Sequence, residues 1–315
     1  MLISVNYHYI DSEDRYERGI YPTSPERLRD QLLKLGRRYT FVHQSRLLDA
    51  IAGRAPLPEQ SCLITFDDGL KSQFSRAVPV LRDMGIPAVF FINSLPHTRK
   101  KACQVHKIHH LLSLCEPRDL LAQVAELHQR LLGSAIDEKP VTEKLAQTEN
   151  RYDAGATAQL KYILNSRLAP ADARVLVDAL FSRYCADEQR FCADLYLSPE
   201  DIRSLDRDPL FSIGLHTESH VNIPYETKDA VEADIRNNHR YLTRELCLTS
   251  VKAISYPIGK VSEQDIKDKI ASVAHELDLA YGLTMGRAEN ERLEAPLFLS
   301  RYDTNDVVGG KRPII

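Results

Sequence analysis

No stretch of the 315-residue chain approaches the ~18 consecutive apolar residues of a membrane-spanning helix. The opening, MLISVNYHYIDSEDRY, has neither the basic start nor the continuous apolar run of a secretion signal, so a cytoplasmic location is expected. Charge of one sign is lacking as well. The 41 Lys+Arg are matched by 44 Asp+Glu, a formal net charge of −3, which removes the electrostatic case for nucleic acid or an anionic membrane as partner. The six cysteines (Cys62, Cys103, Cys115, Cys185, Cys192, Cys247) contain no C-x-x-C pair and no regular framework. Buried or incidental thiols are therefore expected, not disulfides or a Cys-based zinc site, and any metal must use His and carboxylate. No internal repeat or low-complexity tract is visible.

What is present is alternation. Leu2 to Ile10 has the Ile, Val and Tyr content of a strand, and Ser24-Pro25 reads as an N-cap followed by a helix with Leu28, Leu32, Leu33 and Leu35 on one face. A second short helix is expected over Ser45 to Ala52. Cys62 to Phe66 is a short apolar run that stops at Asp67-Asp68-Gly69; a helical segment follows to a break at Gly85, and then a second buried strand, Pro87 to Asn93. This is a strand-turn-helix-strand unit of a parallel sheet. Strand-like runs then vanish, and Leu111 to Leu132 and Ala156 to Tyr184 read as helices, so residues 97–197 are expected to form a helical insertion within one domain spanning 1–315. Alternation resumes with a helix opened by Ser198-Pro199-Glu200, strands at Phe211 to Leu215 and Val251 to Tyr256, helices at Lys228 to Leu246 and Ser262 to Glu276, and last strands at Leu279 to Thr284 and Leu297 to Tyr302. Five to seven strands alternating with helices point to an α/β fold of the (β/α) barrel type, with an open doubly wound sheet as the other solution of the same pattern.

Three segments at the carboxyl ends of these strands carry chemistry. Asp67-Asp68-Gly69 is either a plain turn with Asp68 capping the next helix, or a pair of carboxylates whose mutual repulsion calls for a cation. His216 and His220, four residues apart in Gly214-Leu215-His216-Thr217-Glu218-Ser219-His220, can converge on one ion if the segment makes a helical turn. His106 and His110 have the same spacing but no strand before them, and His106, His109 and His110 read as the polar face of a helix. Asp68 with His216 and His220 would be the His₂-carboxylate set of a zinc-type site with an open position for water. In Ser255-Tyr256-Pro257-Ile258-Gly259 the Pro-x-Gly turn either simply ends a strand or aims a backbone N–H into the site.

In this order the three segments resemble the polysaccharide deacetylase superfamily, the NodB-homology or carbohydrate esterase family 4 group. The likeness is strongest at Thr65-Phe66-Asp67-Asp68-Gly69, good at His216-Thr217-Glu218-Ser219-His220, which fits H-[ST]-x-x-H, and partial at Tyr256-Pro257-Ile258-Gly259. It covers roughly residues 1–95 and 198–303. The resemblance implies a distorted (β/α)7-type barrel that removes N- or O-acyl groups with one divalent metal, expected here to be zinc. It implies Asp67 as general base, Asp68, His216 and His220 as metal ligands, and the Ile258 backbone N–H as an oxyanion donor. His8, in Asn6-Tyr7-His8-Tyr9, matches a Tyr-His early in some relatives and is expected at the same rim. The chain departs from the family in two places: Ser255 stands where many relatives have the arginine that steadies the base, and a late Leu-x-x-His is missing. Arg301 is expected to orient Asp67 instead, to bind an anionic part of the substrate, or to pair with Asp303 at the surface.

The expected activity is hydrolysis of an N-acyl group, acetyl or formyl, from an amino sugar. Without a secretion signal, a nucleotide- or lipid-linked intermediate of surface-polysaccharide assembly is the expected substrate. A non-sugar amide, or a catalytically weak barrel that binds a glycan or partner, are the alternatives. The insertion is expected to cover the site or to build a homo-oligomer.

Overall fold

The computed structural model describes residues 1–136, 153 and 155–315, in two compact units. The first, Met1–Glu13, Pro22–Arg99 and Ala193–Ile315, is an α/β barrel of parallel strands. Its strands are β1 (Leu2–Tyr7), β2 (Thr40–Phe41), β3 (Ser61–Phe66), β4 (Ala88–Ile92), β5 (Phe211–Leu215), β6 (Ala253–Ser255), β7 (Tyr281–Leu283) and β8 (Tyr302–Asp303). The hydrogen-bonded order is β7-β6-β5-β4-β3-β1-β8, with β2 attached to β3. The sheet curls back on itself: Leu283 of β7 bridges Leu299 in parallel, and three residues later β8 pairs with Val5 and Asn6 of β1.

Apolar residues of both faces explain the curl. Outward side chains such as Ile3, Val5, Phe66, Phe90 and Ile213 pack with the helices in one large core. Inward side chains, among them Leu63, Val89, Phe91, Ala253, Tyr281 and Leu283, fill the barrel in a second core. Such two-sided burial is why the strands read as continuous apolar runs. Gly214 belongs to this interior: a Cβ there would lie 2.4 Å from the Phe91 ring.

The helix starts follow the sequence closely. The Ser24 hydroxyl caps Pro25–Leu35 by accepting from Arg27 N at 3.1 Å, and Ser198 with Asp201 forms a capping box on Pro199–Arg207. The last expected strand is shorter than its sequence suggests. Pro296–Phe298 is a 3-10 turn opened by the proline, so only the bridge at Leu299 and then β8 join the sheet.

The second unit, Asp14–Tyr21 and Lys100–Cys192, is helical. Its helices break where prolines forbid continuation: Leu111 to Leu132 divides into Gln104–Leu114 and Pro117–Leu132, and Ala156 to Tyr184 is interrupted before Pro170–Tyr184. Leu112, Leu120, Leu127, Leu176 and Phe181 are among its core residues. His106 and Lys107 do not form a solvated face. Both are buried, and Lys107 Nζ meets Asp178 at 2.5 Å and Glu188 at 2.7 Å, because helix Gln104–Leu114 turns this side inward. No helix among the described residues is long and apolar enough to cross a membrane.

Candidate active site

The carboxyl ends of β1, β3, β5 and β6 bring most of the singled-out residues together. Asp67 continues the alternation of β3, so it points inward with Leu63 and Thr65. Its neighbour Asp68 would ordinarily point away. A left-handed backbone, φ 76°, reverses this and puts both carboxylates at the site. Thr217 (φ 60°), His220 (φ 58°) and Ile258 (φ 65°) share that conformation, which costs a non-glycine residue about 1–3 kcal/mol and concentrates where function over-determines the chain. The His216–His220 segment is accordingly a strained loop, not the helical turn its spacing suggested.

Supports fix that loop. The Asn93 side-chain amide donates to the carbonyls of His216 and Thr217, and Asn238 accepts from His216 N at 3.1 Å while donating to Ile92 O at 3.0 Å. Asp234 accepts from Ser219 N at 3.1 Å and from Ser219 Oγ at 2.6 Å. As a result His216 Nε2 stands 3.3 Å and His220 Nε2 3.5 Å from Asp68 Oδ1.

Asp68, His216 and His220 offer ligand atoms that all lie within 4.8 Å of one another, the sole such group among the described residues. The donor chemistry fits a divalent ion. His216 Nδ1 faces the Ser255 carbonyl at 2.8 Å, which assigns the proton to Nδ1 and leaves Nε2 a lone pair; buried Nε2 has no hydrogen-bond partner. In the metal-free protein burial alone would lower the His216 pKa, but the Asp67 and Asp68 carboxylates outweigh it and raise it above the ordinary value.

Asp67 is held differently. Arg301, wholly buried, donates from Nη1 to Oδ1 at 2.9 Å and from Nη2 to Oδ2 at 2.8 Å. Asn6 Nδ2 donates to Oδ2 at 3.0 Å and Ser255 Oγ at 2.9 Å. Burial pushes the Asp67 carboxyl up, but the charge of Arg301, helped by His216, holds it well below the usual carboxylate range. Arg301 thus pairs with Asp67 in the interior and not with Asp303 at the surface. His8 lies on the same side of β1 as Asn6, its Nε2 3.5 Å from Asn6 Nδ2. Ile258 sits partly exposed in the turn after β6, closed by Gly259 N to Tyr256 O at 3.2 Å.

Sequence reasoning missed Asn6, Thr65, Ser255, Asn93 and Asn238. For Asn6 a signal existed: it precedes His8 by two, the strand period. Ser255 stood out at the position where many relatives carry the base-steadying arginine; Thr65, Asn93 and Asn238 needed the fold.

The polysaccharide deacetylase family model matches residues 54–116 and 134–282, more than half of the chain. The chain belongs to the polysaccharide deacetylase family. Over 89 residues it is 30% identical to the poly-β-1,6-N-acetyl-D-glucosamine N-deacetylase of Escherichia coli K12, a stretch that is 28% of this chain and 13% of that enzyme. Two solved structures share the fold of this deacetylase-family chain. The Streptococcus pyogenes deacetylase PplD, in complex with acetate, has a TM-score of 0.54 at 14% identity, with 96% of this chain and 91% of that one covered. IcaB from Ammonifex degensii has a TM-score of 0.54 at 18% identity, with 96% and 90% covered.

Proposed function

We propose that the protein is a metal-dependent hydrolase that removes the acetyl group from an N-acetylated amino sugar of a polysaccharide. The observation that carries this reading is the convergence of Asp68, His216 and His220 beside an Asp67 kept ionised by Arg301. Asp68, His216 and His220 would hold one divalent ion, zinc by its donor set, which when bound lowers the pKa of a water towards ~7 and polarises the acyl carbonyl.

The chain's own groups supply the rest. Asp67 Oδ1, which among the described residues accepts only from Arg301 Nη1, takes the proton of the attacking water. The Ile258 backbone N–H donates to the oxyanion as the carbonyl carbon becomes tetrahedral. His8, whose ring lies 3.5 Å from the Asn6 amide that also holds Asp67, is the residue assigned here to give a proton to the departing amine. The C–N bond then breaks, acetate leaves with the new C–O bond, and the sugar keeps a free amine.

The Escherichia coli relative supports a poly-β-1,6-N-acetylglucosamine chain as the first substrate to try. Nucleotide- and lipid-linked N-acetyl sugars carry the same amide and belong in the same screen. The test is acetate release by zinc-loaded protein from each of these. Release from one, lost on stripping the metal and restored by adding it back, supports the reading; no release from any counts against it.

A further inference from the structure

Ser255 ends β6 fully buried, among three functional groups. Its hydroxyl accepts from Arg301 Nη2 at 2.7 Å and lies 2.9 Å from Asp67 Oδ2, and its main-chain carbonyl lies 2.8 Å from His216 Nδ1. A hydroxyl has one proton, and a guanidinium can only donate. The direction is therefore fixed, from guanidinium to hydroxyl to carboxylate.

That direction matters for Asp67. The terminal torsion of an aspartate is broad and roughly two-fold, so nothing within the residue sets the plane of its carboxylate. The plane is set from outside and unequally: Oδ2 receives Arg301 Nη2, Ser255 Oγ and Asn6 Nδ2, whereas Oδ1 receives Arg301 Nη1. Three donors saturate one oxygen and leave the other with a lone pair to spend.

We propose that Ser255 is a positioning residue shared by the base and a metal-ligating histidine. Its hydroxyl fixes the Asp67 carboxylate so that Oδ1 is the oxygen that takes the proton, and its carbonyl fixes the His216 ring with Nε2 towards Asp68. The roles of Asp67 and His216 rest on the deacetylase reading above. The two arms use different atoms, so they separate by substitution. Ser255→Ala deletes the hydroxyl, keeps the carbonyl, and leaves the two-armed Arg301–Asp67 pair to hold the fold.

The test compares wild type, Ser255→Ala and Ser255→Thr, each loaded with zinc, for acetate release from a β-1,6-linked N-acetylglucosamine oligomer. Zinc content, the visible spectrum of the cobalt-substituted proteins and crystal structures of wild type and Ser255→Ala are determined alongside. Ser255→Ala is expected to keep its zinc, its cobalt spectrum and its KM, to lose about 10–100-fold in kcat, the usual range for a partner behind a metal or catalytic group, and to show the Asp67 carboxylate turned. Ser255→Thr restores most of the rate. A Ser255→Ala enzyme with wild-type kcat and an unmoved carboxylate overturns the proposal, and so does one that loses zinc in step with activity. Should zinc-loaded wild type release no acetate, it is the deacetylase reading that fails, and the Asp67 carboxylate in the variant's crystal structure still decides for or against Ser255.

Discussion

Arg301 grips Asp67 with both guanidinium arms, at 2.9 and 2.8 Å, across 234 residues of sequence and with both side chains sealed from solvent. Thr65 Oγ1 and Thr284 O take further donors of the guanidinium, at 3.2 and 3.4 Å, and the Phe91 ring lies 5.9 Å from its centre. A charge this deep is tolerated only because its hydrogen bonds are satisfied. The pair joins β3 to the segment before β8, so the last part of the barrel to be reached along the chain completes the site of the first.

Breaking that pair from the arginine side is expected to be severe. Arg301→Ala leaves a buried carboxylate uncompensated and should cost about 3–5 kcal/mol, read as a lower urea midpoint, together with loss of turnover. Arg301→Lys keeps the charge but not the planar fork, and should fall between the two. Wild-type stability in Arg301→Ala would remove the pair from the account.

The three proposed ligands should behave alike and unlike Asp67. Asp68→Ala, His216→Ala and His220→Ala are each expected to lower the zinc recovered by elemental analysis from about one ion per chain to a small fraction of that. Asp67→Asn should retain it. Full zinc in all three variants would place the metal elsewhere.

The pH dependence follows from the raised His216 pKa in the metal-free protein. A group whose pKa is higher folded than unfolded contributes stability that is complete below its unfolded value, about 6.5, and is lost as pH rises through the folded one. Metal-free wild type should therefore lose its Tm advantage over His216→Gln from near-neutral pH upward. Zinc reverses the sign, because the ligand must be neutral to bind. Asp67, with its pKa lowered, acts in the opposite sense: its contribution is present above about pH 3.9 and is lost as the pH falls below that towards the folded value. A metal-free difference between wild type and His216→Gln that stays constant from pH 6 to 9 would contradict the assignment.

Gly214 is required by space and not by backbone angle. An added Cβ would sit 2.4 Å from Phe91 and 3.1 Å from Ala253 O, so Gly214→Ala should destabilise by about 1–3 kcal/mol, the range for overpacking. It should also weaken zinc binding, since His216 is two residues on. Adding Phe91→Leu is expected to recover part of both losses, as calorimetry and zinc titration would show; no recovery would mean that the clash lies elsewhere.

Much of this was legible in the sequence because strand and helix signals agreed with the parallel barrel. Ser24, Ser198 and Gly85 mark helix ends as their chemistry demands. Asp67, Asp68, His216 and His220 were legible because a strand end is where such groups converge. The left-handed backbone at Asp68, Thr217 and His220 was not: aspartate and histidine only occasionally adopt it, β-branched Thr217 hardly ever does, and tertiary contacts impose it here. Arg301 was an open choice among three partners until the curl of the sheet brought its segment against β1 and β3. The burial of His106 was misread because polar residues on a helix ordinarily face water; Lys107 beside it is buried too, its charge met by Asp178 and Glu188.

The central claim is that Asp67 is the base of a metal-dependent deacetylation. The measurement that tests it most directly is acetate release from a β-1,6-linked N-acetylglucosamine oligomer by zinc-loaded wild type beside zinc-loaded Asp67→Asn, with the zinc of both samples counted. Equal zinc, with release by wild type and a rate reduced at least about 100-fold in Asp67→Asn, is the predicted result. Equal zinc and equal rates would contradict it.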